Sequence, residues 1–300
     1  RGWRVAVIRH PMPYGDLVAA RVQRFAAPAD LDAAGCTTEE REEYEPHLAA
    51  GNVVFAGVDY AAVLGQAEAE ADLIVWDGGN NDFPFVRPDL HLVLADALRP
   101  DQVDTHHPGE TVARMADVLV VNKVDSAAAD AVEALERRLR SVNAGAPIVR
   151  AASPVRLDDA AAVRGRRVLV VEDGPTITHG GMATGAGHVA ALAAGAAGIV
   201  DPRPHADGVL RALYDAYPHI GPVLPALGYD PEQRAALARC IVASGADVVV
   251  AGTPIDLAAL LGTTVPVVRS RYAFEQRGGA RLDEAVAGFL ATISAAPSRS

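Results

Sequence analysis

Asn122-Lys123-Val124-Asp125 follows a valine-rich run and precedes alanine-rich helical sequence. The carboxylate of Asp125 could accept both N1–H and N2–H of guanine, a pair that adenine does not offer. The lysine stem would lie along the base while Asn122 ties the loop. The same residues could simply end a strand and cap a helix, with Asp125 or Ser126 as N-cap. The next apolar run closes in Ala151-Ala152-Ser153, so Ser153 joins the candidate base-binding residues. A second group is LIVWDGGNND at 73–82, where Asp77 ends an apolar run. An aspartate there could hold Mg²⁺ through water while the glycines admit a terminal phosphate, or the segment is a βα turn with a capping carboxylate.

Arg9, His10, Arg21 and Arg24 set four cations behind the first apolar run. Guanidinium forks beside glycine and proline turns suit a polyanionic substrate, and a solvated face with surface pairs is the alternative. In the second half, Glu172-Asp173-Gly174-Pro175-Thr176-Ile177-Thr178-His179 runs into Gly180 and Gly185, and Arg203 and His205 follow a later run. A strand, a Gly- and Thr-rich loop and a helix start form an anion site by geometry, with His179 and His205 as acid–base or phosphate-binding candidates. Glu39, Glu42 and Glu43 share one face of a helical acidic run, a pattern that most often marks solvated surface.

No G-x-x-x-x-G-K-[ST] phosphate loop is present. The cations sharpen this, because 26 are arginine and Lys123 is the single lysine. The lysine of the base loop cannot also serve phosphates. The chain opens on Arg1 without Met and reads as strand from Arg4, so either the domain has lost triphosphate binding or the phosphate loop is expected upstream of Arg1.

Elements must carry these residues to one edge. Short Val- and Ile-rich runs at 4–9, 52–56, 73–77, 90–96, 118–122 and 148–151, then 168–172, 198–201, 221–224, 247–251 and 265–269, alternate with helical stretches. Eleven such runs exceed one open sheet and predict two doubly wound, mainly parallel α/β domains. The first (1–160) is P-loop NTPase-like without its phosphate-loop segment. The second (161–300) is a Rossmann-like substrate-binding domain. Ligands of such sheets bind beyond the carboxyl ends of the strands, which is where Asp77, Asn122 and Asp173 fall.

Three hundred residues carrying a net charge of −11 disfavour nonspecific nucleic-acid binding. No apolar run reaches the roughly 18 residues of a membrane span, and Cys36 and Cys240 show no metal or disulfide spacing. A cytoplasmic protein with a small-molecule partner is expected, without nucleic acid or membrane; homo-oligomerisation is left open.

Taken together, RHPMPYGDL (9–17), EEREEYEPH (39–47), WDGGNNDFPF (76–85), RMADVLVVNKVD (114–125), VEDGPTITHGGM (171–182), VDPRPHA (200–206) and PHIGPVLPALGY (218–229) make the chain resemble the cyclic 2,3-diphosphoglycerate synthetase family and its GTPase-like relatives along nearly its whole length. The resemblance implies an enzyme that uses ATP or GTP with Mg²⁺ to activate one phosphate of 2,3-bisphosphoglycerate for closure into a cyclic phosphoanhydride. It assigns Asp77 to metal binding and, with Arg9, His10 and His179, to catalysis. Asn122, Lys123, Asp125 and Ser153 would hold the base, and Arg21, Arg24, Arg203 and His205 the polyanion. A GTPase-type switch that controls a partner is the alternative, and a degraded paralogue that binds only a small anion is a third.

Overall fold

A computed structural model describes residues 2–10, 16–79, 82–226 and 231–295. The strands are β1 (Val5–Arg9), β2 (Gln23–Phe25), β3 (Val53–Ala56), β4 (Leu73–Trp76), β5 (Leu92–Asp96), β6 (Val118–Asn122), β7 (Ile148–Ala152), β8 (Val155–Leu157), β9 (Arg167–Glu172), β10 (Gly198–Ile199), β11 (Leu224–Pro225), β12 (Val248–Gly252), β13 (Val267–Tyr272) and β14 (Glu275–Gly279). They form sheets of order β2-β3-β1-β4, β10-β9-β12-β13-β8 with β11 also on β9, and β14-β7-β6-β5. The expected α/β class is what the chain adopts, with antiparallel pairs of β2 on β3 and β14 on β7 added to mainly parallel ladders.

The chain divides into two compact units, residues 1–75 with 155–271, and residues 76–154 with 272–300. The expected boundary near 160 lies close to the crossing at 154/155. The crossings at 75/76 and 271/272 carry no shift in composition. The first 75 residues therefore cluster with the second-half sheet, whereas the sequence reading placed them with the nucleotide domain.

Each apolar run is explained by what covers it. Val118 to Val121 are all buried because β6 lies between parallel neighbours β5 and β7. Helix Ala129–Val142 covers one face with Val132, Leu135 and Leu139, spaced at helical period. Burying each such side chain contributes roughly 1.5–3 kcal/mol. In the other unit, Val168 to Val171 and Val248 to Ala251 form the centre of a core closed by Leu210, Leu237 and Ile241. A smaller core stacks Tyr44 on Phe25 at 5.1 Å between ring centres. The unanticipated strands β2, β8 and β14 are short and lack alternation. β14 reaches β7 through Gly279, whose φ of 77° and 2.3 Å gap from a would-be Cβ to the Ile148 carbonyl admit only glycine.

One buried carboxylate organises the β9–β12 edge. Glu172, 1% exposed at the end of β9, accepts hydrogen bonds from the backbone N–H groups of Gly185 (3.0 Å), Gly187 (3.1 Å) and His188 (2.8 Å). These donors open helix Ala186–Ala193. The expected anion site of the Gly- and Thr-rich loop is thus filled from within the chain, since the helix start that would hold a phosphate already holds a carboxylate. Gly252 on the adjacent strand makes the room, because a Cβ there would stand 2.1 Å from Glu172 Oε2. Gly252→Ala should lower unfolding free energy by about 2–4 kcal/mol in denaturant melts, whereas Gly198→Ala, which meets nothing within 4 Å, should stay within about 0.5 kcal/mol of the parent.

Candidate functional site

In the unit of 76–154, the four candidate base-binding residues come together. Asn122 ends β6, and its Nδ2 donates to Ser153 Oγ at 3.0 Å. Ser153 N donates to Asp125 Oδ1 at 3.1 Å, and Val124 N to the Ala151 carbonyl at 3.1 Å. Two strand ends, β6 and β7, are thereby tied into one loop pair using one carboxylate oxygen of Asp125. Lys123 has φ of 61°, the sole non-glycine residue at positive φ among those described. That conformation costs a β-carbon residue roughly 1–2 kcal/mol. Its Nζ is held 2.8 Å from Asp96 Oδ2, at the end of the neighbouring β5. The capping alternative is not what the geometry shows, because helix Ala129–Val142 starts beyond Asp125 and Ser126, with Ala128 as its N-cap.

Asp77 follows β4, half-buried, with Gly78 pressed against Trp76: a Cβ at 78 would lie 2.2 Å from the indole ring. Gly79 N donates to Asp82 Oδ2 at 2.8 Å. Asn80 and Asn81 lie outside the described residues, as do Pro11 to Gly15 of the segment after β1.

The other unit gathers a different set. The acidic run, expected as solvated surface, is a built helix, Thr38–Ala49, in which Glu40, Glu42, Glu43 and Glu45 have partners. Glu40 and Thr37 make a capping box, Glu40 Oε2 accepting from Thr37 N at 2.7 Å. Glu43 pairs with the buried Arg9 at 2.9 Å, and Glu45 accepts from Arg41 at 3.3 Å and from Asp256 N at 3.3 Å. Glu42 accepts from the Thr253 hydroxyl at 2.5 Å and also hydrogen-bonds Asp173, the residue after β9. Burial, then the Asp173 charge, pushes the Glu42 carboxyl up to about 9. Glu39 is likewise raised, by burial first and then Asp173. A carboxyl that keeps its proton beside a carboxylate is a proton donor and store at a strand-end edge.

His179 stands exposed near this group. The Thr178 hydroxyl donates to the Gly174 carbonyl at 2.9 Å and lies 3.1 Å from His179 Nδ1. That contact orients the imidazole ring. The arginines expected to hold a polyanion are paired with acids: Arg21 with Asp59 at 2.9 Å, Arg24 with Glu70 at 2.8 Å, Arg203 with Asp201 at 2.7 Å. His205 closes the short turn Arg203–His205, and Arg203 first, with His205 adding, holds the Asp201 carboxyl below its usual range. Arg9 and His10 sit at the end of β1 and Arg24 within β2, so Arg24 does not join the strand-end group around Asp173.

The comparisons follow this division. Residues 66–150 match the family described as CobW/HypB/UreG, nucleotide-binding domain, a stretch holding Asp77, Asn122, Lys123 and Asp125. The chain thus carries a P-loop-type nucleotide-binding domain. It is also 51% identical over 283 residues to arginine synthetase ArcE of Thermococcus kodakarensis, an alignment covering 94% of this chain and 63% of that protein. The chain therefore spans less than two thirds of the curated relative's length. No helix among the described residues is long and apolar enough to cross a membrane.

The Glu42 proton has a measurable consequence. In the folded chain it is retained up to about 9, whereas the unfolded chain loses it in the ordinary carboxylate range, so the native state binds more protons between those limits and stability falls as pH rises through them. Glu42→Gln, which keeps a donor toward Asp173 and an acceptor for Thr253, should melt a few degrees above the parent at pH 8 and no higher at pH 4. A difference independent of pH in circular-dichroism melts would show that Glu42 ionises normally.

Proposed function

We propose that this chain is the core of an NTP-dependent synthetase whose product is arginine. The observation that carries the reading is the closed base loop, in which Asn122, Ser153 and Asp125 are joined and Lys123 is held at positive φ. The product comes from the name of the 51% identical relative. Charge supports the choice of product over 2,3-bisphosphoglycerate, since Arg21, Arg24 and Arg203 already face carboxylates and the strand-end group of Glu39, Glu42 and Asp173 places Asp173 beside the protonated Glu42, with no arginine among the three. An acidic edge suits a cationic guanidinium or ammonium better than a bisphosphate.

The residues present fit a nucleotide base: Asp125 supplies the acceptor, the Lys123 stem a face, and Ser153 the clasp. They do not fit a phosphate at the start of helix Ala186–Ala193, which Glu172 occupies. The described residues hold no group of three metal-ligating side chains, so Mg²⁺ would be shared between Asp77 and the nucleotide's own oxygens, where it would neutralise phosphate charge. Of the chain's own groups, Glu42 holds a proton at its carboxyl and His179 can take one on its ring.

The test uses the full-length gene product with ATP or GTP, Mg²⁺, an ammonium salt and either L-citrulline or L-ornithine, with arginine read by mass spectrometry. A parallel reaction with 2,3-bisphosphoglycerate is read by phosphorus NMR. Arginine formation with NTP consumption is the expected result. A cyclic phosphoanhydride would restore the bisphosphoglycerate reading, and NTP turnover without either product would favour the switch. For the base, Asp125→Asn should move preference from GTP toward XTP by tenfold or more, about 1.4 kcal/mol, if guanine is the base. An unchanged preference would assign adenine.

A further inference from the structure

A cavity of about 230 Å³ lies in the 155–271 part of the chain, lined by Arg203, Arg211, Tyr214, Asp215, Tyr217 and Ile220 among others. Its size suits a metabolite no larger than an amino acid, below the roughly 300–1,000 Å³ of drug-sized sites. Arg211 and Asp215 lie one turn apart on helix Gly208–Ala216. Arg211 Nη2 donates to the carbonyls of Arg203 (2.9 Å) and Ala206 (3.2 Å), which fixes the guanidinium while leaving Nε–H and the Nη1 protons for other partners. Among the described residues it has no carboxylate within ion-pair distance, in contrast to Arg203, which Asp201 grips with both oxygens. The Tyr214 hydroxyl donates to the Val223 carbonyl at 2.8 Å, so its ring is locked in the wall. Tyr217 stands edge-on to both His179, at 6.2 Å, and His219, at 6.0 Å. The cavity therefore borders the loop that follows β9.

A fixed guanidinium, a carboxylate one turn away and two tyrosine rings around a small cavity match one chemical pattern. A phosphate dianion would meet repulsion from Asp215. A zwitterion would not, for its carboxylate takes the guanidinium fork, its ammonium takes the aspartate, and its carbon stem lies along the rings. We propose that this cavity binds the head group of a free α-amino acid, with Arg211 receiving the α-carboxylate and Asp215 the α-ammonium. The choice of arginine or its precursor as that amino acid rests on the synthetase reading above.

Isothermal titration of the 300-residue chain with L-arginine, L-citrulline, L-ornithine, agmatine, which lacks the carboxylate, and N-acetyl-L-arginine, which lacks the ammonium, tests this directly. The expected result is binding of at least one of the three amino acids. Arg211→Ala should weaken it about ten- to a hundredfold, as for lost charged hydrogen bonds, while leaving agmatine affinity unchanged. Asp215→Asn should weaken the amino acid and leave N-acetyl-L-arginine unchanged. Circular-dichroism melts that match the parent's show that each variant has folded. Amino-acid affinity within twofold of the parent in both folded variants, or no binding of any of the three by the parent, overturns the proposal. Arg211-dependent binding without arginine formation would keep the cavity and remove the arginine-forming reading. Arginine formation with the same amino-acid KM in Arg211→Ala would do the reverse.

Discussion

The carboxylate of Glu172 is the constraint on which the β9–β12 edge depends. It is buried, and only three backbone N–H groups at the start of one helix offset the loss of water around it. Meeting that cost determines the glycines at 185, 187 and 252, the approach of helix Ala186–Ala193 to the sheet, and the position of Asp173 one residue further on. Burial pushes the Glu172 carboxyl upward and the three donors pull against it. By filling a helix start that would otherwise attract an external anion, Glu172 also makes this edge acidic in character.

The same economy of charge runs through the molecule. Arginine supplies 26 of the 27 cations, and at many strand and helix ends each guanidinium is matched to a carboxylate of its own unit. Most of these pairs are exposed and contribute little to stability individually. Their functional consequence is larger, since a guanidinium already holding a carboxylate is a poor phosphate clamp. Arg211 differs in being anchored to carbonyl oxygens, which orient it without neutralising it. Lys123 differs too, as its ammonium meets Asp96 while its backbone adopts the conformation that turns β6 into the base loop.

The loop proposed to hold the base was legible as a candidate because its residues are local. Asn122, Lys123 and Asp125 lie within four residues, and their apolar run marks a strand whose end the α/β class exposes. Ser153 was legible as the end of the next parallel strand. The acidic helix was not, since a charged run reads as solvated face unless something far away accepts it. Here the partners are the Thr253 hydroxyl and the Asp256 amide, which donate to Glu42 and Glu45, and Asp173 beside Glu42, all more than 120 residues distant. Arg21 and Arg24 lie close together in sequence behind the first strand, while in space each meets a separate acid, Asp59 and Glu70.

The sequence by itself determined the class of fold, the candidate loop of Asn122, Lys123 and Asp125 and the presence of a single lysine, because strand periodicity, a four-residue motif and a residue count are short-range properties. Only the tertiary structure decided that residues 1–75 cluster with the second-half sheet, that Glu172 occupies the helix start, that Glu42 is buried beside Asp173, and that Arg211 and Asp215 line one cavity. Each of these depends on desolvation and on distances between residues from separate elements, and neither exists until the chain has packed.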